Sequence, residues 1–284
     1  MSEFLKTLEI LGEKIELGES KTVDFNIAKL FTSTNIAIPV IIERSLIPGP
    51  VILITAAIHG DEINGVEIVR QLIDRKINKP KRGSIICISI LNVFGFLNTE
   101  RAFPDGRDLN RVFPGNKRGS LASRVAYYLT TQVLPQIDYC MDFHTGGASR
   151  FNAPQVRVNP GDENLLKLAK VFNVPFIVYS KNLKKSYRAT CNKLGIPIVL
   201  FEGGKSLESN TKIVNYGIRG IKRFLYSGGR FPDRYGSRRT LPEYCETGEV
   251  HGKHSRGNKA QPLLQRHGQH GPSDGRCRGR RTGV

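Results

Sequence analysis

The amino-acid sequence predicts an α/β fold in three layers, with helices on both faces of a central, mixed but mainly parallel sheet. Two observations support this prediction. The apolar, β-branched runs 51–57 and 84–91 have the composition of strands buried on both faces. The segment 62–76 between them has apolar residues at helical spacing, and such alternation is typical of βαβ units with parallel strands.

The other elements follow from local patterns along the chain. Residues 1–50 predict two to four strands, some at the sheet edge, because short apolar and polar runs alternate between turn residues. The segment 92–120 predicts a long loop, because it is rich in Gly, Pro, Asn, Asp and Arg and has no periodicity; such loops are usually functional. Further strands are expected at 137–143, 175–179 and 196–201, and helices at 121–134, 162–172, 187–194 and 209–226.

The positive charge of the chain is unevenly distributed. The net charge is +18, and residues 230–284 hold 12 Lys and Arg against five Asp and Glu. From 237 onward the sequence has few apolar residues and no strand or helix period. We therefore expect one domain over 1–236 and a disordered, basic Arg-, Gly- and His-rich tail over 237–284. Nucleic acid is disfavoured as a partner, because the basic residues lack interleaved aromatic residues for base stacking.

The sequence also predicts the cellular compartment of the protein. Glu3 and Lys6 stand where a signal peptide needs an apolar core, and no apolar run approaches the ~20 residues that cross a membrane. Five Cys without a CxxC spacing fit a reducing compartment. We therefore expect a cytoplasmic protein that does not enter a membrane, with Cys87 and Cys140 as core residues.

Three residues predict a metal site. His59 and Glu62 lie where the buried strand 51–57 turns into a helix, and His144 ends another buried strand. These are the only His residues among the first 250. The carboxyl ends of neighbouring parallel strands meet at one sheet edge, where open α/β sheets bind ligands. Two imidazoles and a carboxylate there predict one zinc ion per chain, with a fourth position open to water.

A carboxylate follows a third buried strand. Glu202 ends the strand 196–201, and the two residues after it are Gly203 and Gly204. A carboxylate beside a metal ion can take a proton from the attacking water and pass it to the leaving group. Glu202 is therefore the candidate general base, and the two glycines are expected to leave room for a substrate.

The long loop carries candidate substrate-binding residues. Asp108, Asn110 and Arg111 suit recognition of a substrate carboxylate, because a guanidinium offers two parallel donors and an amide adds a directional one. Within this element we expect Asp108 to orient an Arg or a metal-binding His. Arg101 is a candidate for polarising the scissile carbonyl group and stabilising the oxyanion.

The motifs HGDE, GRDLNRVFPG, DFHTG and FEGG occur in this order. With them, residues 35–230 resemble the succinylglutamate desuccinylase/aspartoacylase family of zinc carboxypeptidase-like hydrolases. The resemblance implies a phosphorylase/hydrolase-like α/β/α core and hydrolysis of an amide between an acyl group and an amino acid or similar amine. By motif match, it also implies the roles given above: His59, Glu62 and His144 as zinc ligands, and Glu202 as general base. Asn110 and Arg111 match the carboxylate-binding pair, and Arg101 matches the polarising Arg.

The resemblance ends before the tail. Members of the family usually continue into a small β-rich C-terminal domain that lies against the site, and here the 237–284 segment stands in its place. Its composition fits either a shifted reading frame or a natural truncation. Loss of that domain would affect substrate selectivity and oligomeric state, and homo-oligomer formation stays open.

The leading hypothesis is a zinc-dependent deacylase that cleaves the amide bond of an N-acyl amino acid or a similar small-molecule substrate with a carboxylate. One alternative is a zinc carboxypeptidase acting on short peptides. Another is an inactive, truncated member of the family. A third is a nucleic-acid-binding protein that uses the basic tail, which predicts salt-dependent binding.

Overall fold

The computed structural model describes residues 7–29, 31–227 and 243–245. The strands are β1 Leu8–Ile10, β2 Glu13–Ile15, β3 Ser20–Lys29, β4 Asn35–Arg44, β5 Val51–Ala56, β6 Ser84–Ile88, β7 Tyr139–Gly146, β8 Asn152–Val158, β9 Phe176–Tyr179, β10 Ile198–Lys205 and β11 Glu243–Cys245. The α-helices are α1 Ile63–Asp74, α2 Val93–Asn98, α3 Leu121–Tyr128, α4 Glu163–Phe172, α5 Tyr187–Lys193 and α6 Thr211–Ser227.

Nine strands form one sheet in the order β11-β9-β8-β10-β7-β5-β6-β4-β3, and β1 pairs with β2 separately. The centre is parallel, because β5 pairs in parallel with β6 and β7, and β7 with β10. Antiparallel pairs join β3 to β4, β4 to β6, and β8 to β10. This mixed, mainly parallel sheet confirms the predicted fold class.

Apolar clusters cover both faces of the sheet. On one face Val125 of α3 and Tyr187 of α5 lie in the same buried cluster as Ile10 of β1. On the other face α1, α4 and α6 contribute Ile68, Leu165 and Ile221 to a second cluster. Side-chain caps begin four of the described helices, each worth about 0.5–2 kcal/mol: Asn92 for α2, Ser120 for α3, Asp162 for α4 and Ser186 for α5. Within the described residues, no helix is long and apolar enough to span a bilayer.

Most predicted elements are present, with ends displaced by a few residues. The predicted helix at 121–134 is α-helical only to Tyr128; a π turn at Leu129–Val133 and a 3-10 turn at Leu134–Gln136 follow. Pro135 lacks an N–H group and cannot continue an α-helix. Cys87 and Cys140 are buried, as predicted, and burial raises the pKa of Cys87 to about 12.

Three elements were not predicted. Helix α2 lies inside the segment expected to be a loop, and β8 follows β7 where no strand was expected. Strand β11, which pairs in parallel with β9, lies inside the tail that was expected to be disordered. The remainder of 237–284 lies outside the described residues.

Candidate metal and catalytic site

Strand ends bring the three predicted metal ligands together. Strands β5 and β7 are parallel neighbours, so His59, just beyond β5, and His144, near the end of β7, lie at the same sheet edge. Glu62 precedes the first residue of α1. One ligand atom from each of these residues lies within 4.8 Å of the others, and all three side chains are buried. Sequence reasoning therefore predicted this convergence correctly.

Each of the three predicted ligands presents a defined atom to the centre of the cluster. The Glu62 carboxylate lies between the imidazoles, with Oε1 2.8 Å from His59 Nδ1 and Oε2 2.9 Å from His144 Nδ1. The backbone N–H of Thr145 donates to Glu62 Oε2 at 3.2 Å. The two Nδ1 atoms and the carboxylate thus face one another, as a tetrahedral metal site with an open position requires.

A second carboxylate holds the far nitrogen of each imidazole. His59 Nε2 lies 3.1 Å from Asp108 Oδ1, and His144 Nε2 lies 2.7 Å from Asp142 Oδ2. Asp142 is fixed in turn by the hydroxyl of Thr55, which donates to its Oδ1 at 2.8 Å. This carboxylate–histidine arrangement is usual around bound zinc, because it leaves the Nδ1 lone pairs for the metal. The donor set therefore fits a zinc ion.

The sequence analysis did not predict a role for Asp142. Its spacing from His144 could have indicated one, because residues two apart in a strand point to the same face. Asp142 therefore lies beside His144 and reaches its ring.

Burial and opposite charges compete within the cluster. Burial alone would raise the pKa of Glu62, but His59 and His144 outweigh it and hold that pKa well below its usual range. Burial alone would lower the pKa of both His residues, but Glu62, Asp108 and Asp142 outweigh it and raise those values. The carboxylates therefore stabilise positive charge at the cluster, where a cation can replace the protons.

Glu202 lies in β10, next to β7, in register with His144. Its Oε2 accepts a hydrogen bond from Asn152 Nδ2 at 2.6 Å, and Arg157 Nε lies 3.2 Å from its Oε1. Burial raises the pKa of Glu202, and Arg157 opposes this shift. Both β8 contacts were missing from the sequence prediction, because β8 itself was not predicted.

The glycines after Glu202 have a different role from the one expected. They do not line the cavity at the site. A Cβ atom on Gly203 would lie 2.8 Å from the Phe201 ring and 2.9 Å from Ile213 Cγ2, and one on Gly204 would lie 2.8 Å from Asn64 Nδ2. They permit close packing of β10 against its neighbours rather than space for a substrate.

The residues of the long loop lie beside the cluster. Arg101 donates to Asp108 Oδ2 through Nε at 3.2 Å and Nη2 at 3.0 Å, and its Nη1 lies 3.4 Å from Glu62 Oε1. Asp108 thus links Arg101 to His59 and does not line the cavity. Asn110 Oδ1 accepts the backbone N–H of Tyr187 at 2.9 Å, and exposed Arg111 donates to the Asn110 carbonyl at 2.7 Å.

One cavity of about 560 Å³ lies at the carboxyl ends of the strands, and its lining includes the metal-site cluster and three residues of the long loop: His59, Glu62, His144, Arg101, Asn110 and Arg111. The carboxylates among its lining residues are Glu62 and Glu202. The cationic lining residues are Arg101, Arg111, Arg150, Arg157, Lys181 and Arg188. The last four were not predicted, because β8, α5 and the adjoining loops bring them in from sequence positions that share no motif. The cavity suits an anionic ligand.

The mixed sheet with helices on both faces and the strand-end cluster define a carboxypeptidase-like α/β/α fold. The family model for the succinylglutamate desuccinylase/aspartoacylase catalytic domain matches residues 48–227. The chain belongs to this family.

A curated relative is N-alpha-acetyl-L-2,4-diaminobutyric acid deacetylase from Halomonas elongata, which is 28% identical over 189 residues. The match covers 64% of this chain and 55% of the relative, so the chain spans about half the length of the relative that it matches.

Solved structures show the same fold. A succinylglutamate desuccinylase/aspartoacylase from Rhodobacter sphaeroides has a TM-score of 0.69 and 25% identity, covering 81% of this chain and 72% of that one. The product-bound Ectoine utilization protein EutE (DoeB) from Ruegeria pomeroyi has a TM-score of 0.69 and 23% identity, covering 82% and 73%. A metallo-carboxypeptidase from Burkholderia cenocepacia has a TM-score of 0.58 and 12% identity, covering 74% and 65%.

Proposed function

We propose that the protein is a zinc-dependent hydrolase that cleaves the amide bond of an N-acyl amino acid or a similar small substrate with a carboxylate. One observation carries the proposal: the buried cluster of His59, Glu62 and His144 shares a cavity with the buried carboxylate of Glu202. Family membership and the deacetylase named among the relatives support amide hydrolysis.

His59, Glu62 and His144 would hold the zinc ion. When bound, zinc polarises a carbonyl group and lowers the pKa of water, which is the chemistry that amide hydrolysis at neutral pH requires. Asp108 and Asp142 keep both imidazoles oriented with Nδ1 toward the centre.

Glu202 would act as the general base and then as the general acid. As water attacks the carbonyl carbon, the carboxylate accepts a proton from that water. It then gives the proton to the amine nitrogen as the carbon–nitrogen bond breaks. The raised pKa of buried Glu202 suits both steps, because a general acid–base group works best with a pKa near the working pH.

The loop residues would bind and polarise the substrate. Arg101, already next to Glu62, would donate to the carbonyl oxygen as negative charge develops on it. Asn110 uses its Oδ1 to hold α5 in place, which leaves its Nδ2 as a donor, and Arg111 adds a guanidinium at the same wall of the cavity. The pair would bind the carboxylate of the substrate.

The test is amine release by the zinc-loaded full chain from N-acetyl amino acids with neutral, acidic and basic side chains, beside short peptides. We expect hydrolysis of at least one N-acetyl amino acid. In Glu202→Gln, which keeps the shape but cannot accept the proton, kcat should fall about 100-fold or more while zinc stays bound.

Glu163→Gln is the matched control, because Glu163 is exposed in the first turn of α4, and it should leave kcat unchanged. Near-normal turnover by Glu202→Gln would remove Glu202 from the mechanism. Hydrolysis of peptides alone would replace the deacylase with a carboxypeptidase.

A further inference from the structure

A second cavity lies at the opposite end of the sheet from the metal-site cluster. Its volume is about 530 Å³, within the range of small-molecule sites. Ile52, near the start of β5, and Tyr139, the first residue of β7, line it. The part of β5 from Ile52 to Ala56 spans about 13 Å. The second cavity shares no described lining residue with the catalytic cavity, so the two are separate sites.

Positive charge surrounds this second cavity. Among the lining residues that the structure describes there is no carboxylate, and the cations are Arg75, Lys76, Lys79, Lys81, Arg82 and Lys222. Cations are common just beyond a helix because they offset its dipole, but α1 ends at Asp74, which explains only Arg75 and Lys76. Lys222 comes from a different helix, α6. Six like charges around one cavity repel one another, and an anionic ligand would offset that repulsion.

The carboxylate at the end of α1 is already paired. Asp74 pairs with Arg70, which does not line the cavity. Within the part of the chain that the structure describes, Lys79 is the only one of the six lining cations with an ion pair, 3.8 Å from Glu43. Residues 230–284 carry a net positive charge, and a second copy of this +18 chain would be repelled. The complement of the cavity is therefore a separate anion.

Aromatic and apolar side chains form the rest of the wall. The rings of Tyr139 and Phe224 pack edge to face, with centroids 5.4 Å apart. Tyr226, two residues farther along α6, also lines the cavity and is 72% exposed. An exposed aromatic ring beside cations can stack on a nucleic-acid base while the cations bind phosphates. The second cavity thus combines the two features that bind a nucleotide.

We propose that the second cavity binds a nucleotide with a polyphosphate chain, such as a nucleoside triphosphate. The base would stack on Tyr226, and Lys222 and the basic segment 75–82 would hold the phosphates. The volume favours a single nucleotide over a length of RNA. The described lining residues include no carboxylate to hold Mg²⁺, so the nucleotide would be bound and not hydrolysed. The inference goes beyond the proposed function and does not depend on it.

Calorimetry of the full chain with ATP, tripolyphosphate and adenosine tests this assignment, because these probes separate the phosphate chain from the base. We expect one ATP per chain, with a dissociation constant of about 0.1 mM or tighter. Tripolyphosphate should bind about fivefold more weakly or worse, because it has no base to stack, and adenosine should bind more weakly still. Added salt should weaken both phosphate probes by screening the cations.

Three variants separate the two parts of the cavity. Tyr226→Ala should weaken ATP binding about fivefold or more and leave tripolyphosphate binding unchanged, whereas Tyr226→Phe should retain ATP. Lys222→Ala should weaken both phosphate probes about threefold or more. Arg219→Ala is the matched control, because it removes an exposed cation of the same helix that does not line the cavity, and it should change neither affinity.

The catalytic cavity is also cationic, so Arg111→Met locates the binding. Arg111 lines the catalytic cavity but not the second cavity, and its loss should leave ATP affinity unchanged. Circular dichroism verifies folding of every variant.

Several results would overturn the assignment. ATP affinity that falls in Arg111→Met but not in Lys222→Ala would move the binding to the catalytic cavity. Absence of ATP binding by wild type, equal affinities for ATP and tripolyphosphate, or unchanged ATP affinity in folded Tyr226→Ala would also contradict it. Tighter binding of a short RNA than of ATP would replace the nucleotide with RNA. No measurement here uses turnover, so failure of the hydrolase proposal would leave this test intact.

Discussion

At the scale of single residues, the site depends on which nitrogen of each imidazole is free. His144 can offer Nδ1 to a metal only if Nε2 carries the proton, and the Asp142 carboxylate, 2.7 Å from Nε2, favours this state because an ionised carboxylate can only accept a hydrogen bond. Asp108 does the same for His59 at 3.1 Å. Two carboxylates outside the proposed ligand set therefore favour Nδ1 as the donor atom of each imidazole.

The Asp142→Asn substitution tests this control. The amide keeps the shape of the side chain, and its NH2 group can donate to Nε2 of His144, which would move the ring proton to Nδ1. We expect zinc affinity to fall about 10- to 100-fold, measured by competition with a chromogenic chelator.

Asp105→Asn serves as the control, because Asp105 is exposed and pairs with Arg107. Its zinc affinity should match wild type. Equal affinities for Asp142→Asn and wild type would show that the carboxylate does not set the ring proton.

At the scale of elements, the turn that carries His59 and Glu62 depends on the packing of α2. Gly60 lies between His59 and Glu62, and a Cβ atom there would lie 1.9 Å from the carbonyl carbon of Gly95 and 2.2 Å from the Phe96 nitrogen. Helix α2 is itself fixed by the Asn92 side chain, which accepts the Gly95 N–H at 2.9 Å. The turn and the helix therefore fit together only without a side chain at position 60.

Gly60→Ala should separate these two elements. We expect the free energy of unfolding to fall by about 1–3 kcal/mol, as for other overpacked positions, measured by urea denaturation of the metal-free protein. At Gly147 an added Cβ would contact only Arg101 Nη1, at 3.4 Å, so Gly147→Ala should change stability by less than about 0.5 kcal/mol. Equal stabilities of the two variants would contradict this packing.

The same elements explain what the sequence could predict. The segments that lead to His59, His144 and Glu202 are predominantly apolar, and each reaches a polar residue at or just beyond the carboxyl end of its strand, so composition largely locates them. Strand β8 contains Pro154 and Arg157, and its burial comes from pairing with β10, about 45 residues away. Helix α2 has six residues, too few to establish a helical period.

The residues of the candidate site also differ in whether the sequence could predict them. The proposed metal ligands and Glu202 lie at or near strand ends, where the sheet topology brings them together. The cationic wall with Arg157 and Arg188 depends on β8 and α5, and no spacing in the sequence links these two residues.

At the scale of the whole molecule, the sheet is the platform of the site. The strands β10, β7 and β5 are consecutive in the sheet, and they carry Glu202 and the two His residues to one edge. The long loop with Arg101 and Asn110 adds a wall of the cavity. The central claim is that this edge binds one zinc ion through His59, Glu62 and His144.

Metal content tests that claim most directly. Zinc per chain is measured by mass spectrometry on the purified full chain, in wild type, His144→Ala and His251→Ala, with circular dichroism to verify folding. His251 is the matched control, because it lies among the His residues of the tail that could bind metal adventitiously. We expect about one zinc per chain in wild type and His251→Ala, and none in folded His144→Ala. Absence of zinc from wild type, even after zinc is added, would contradict the central claim.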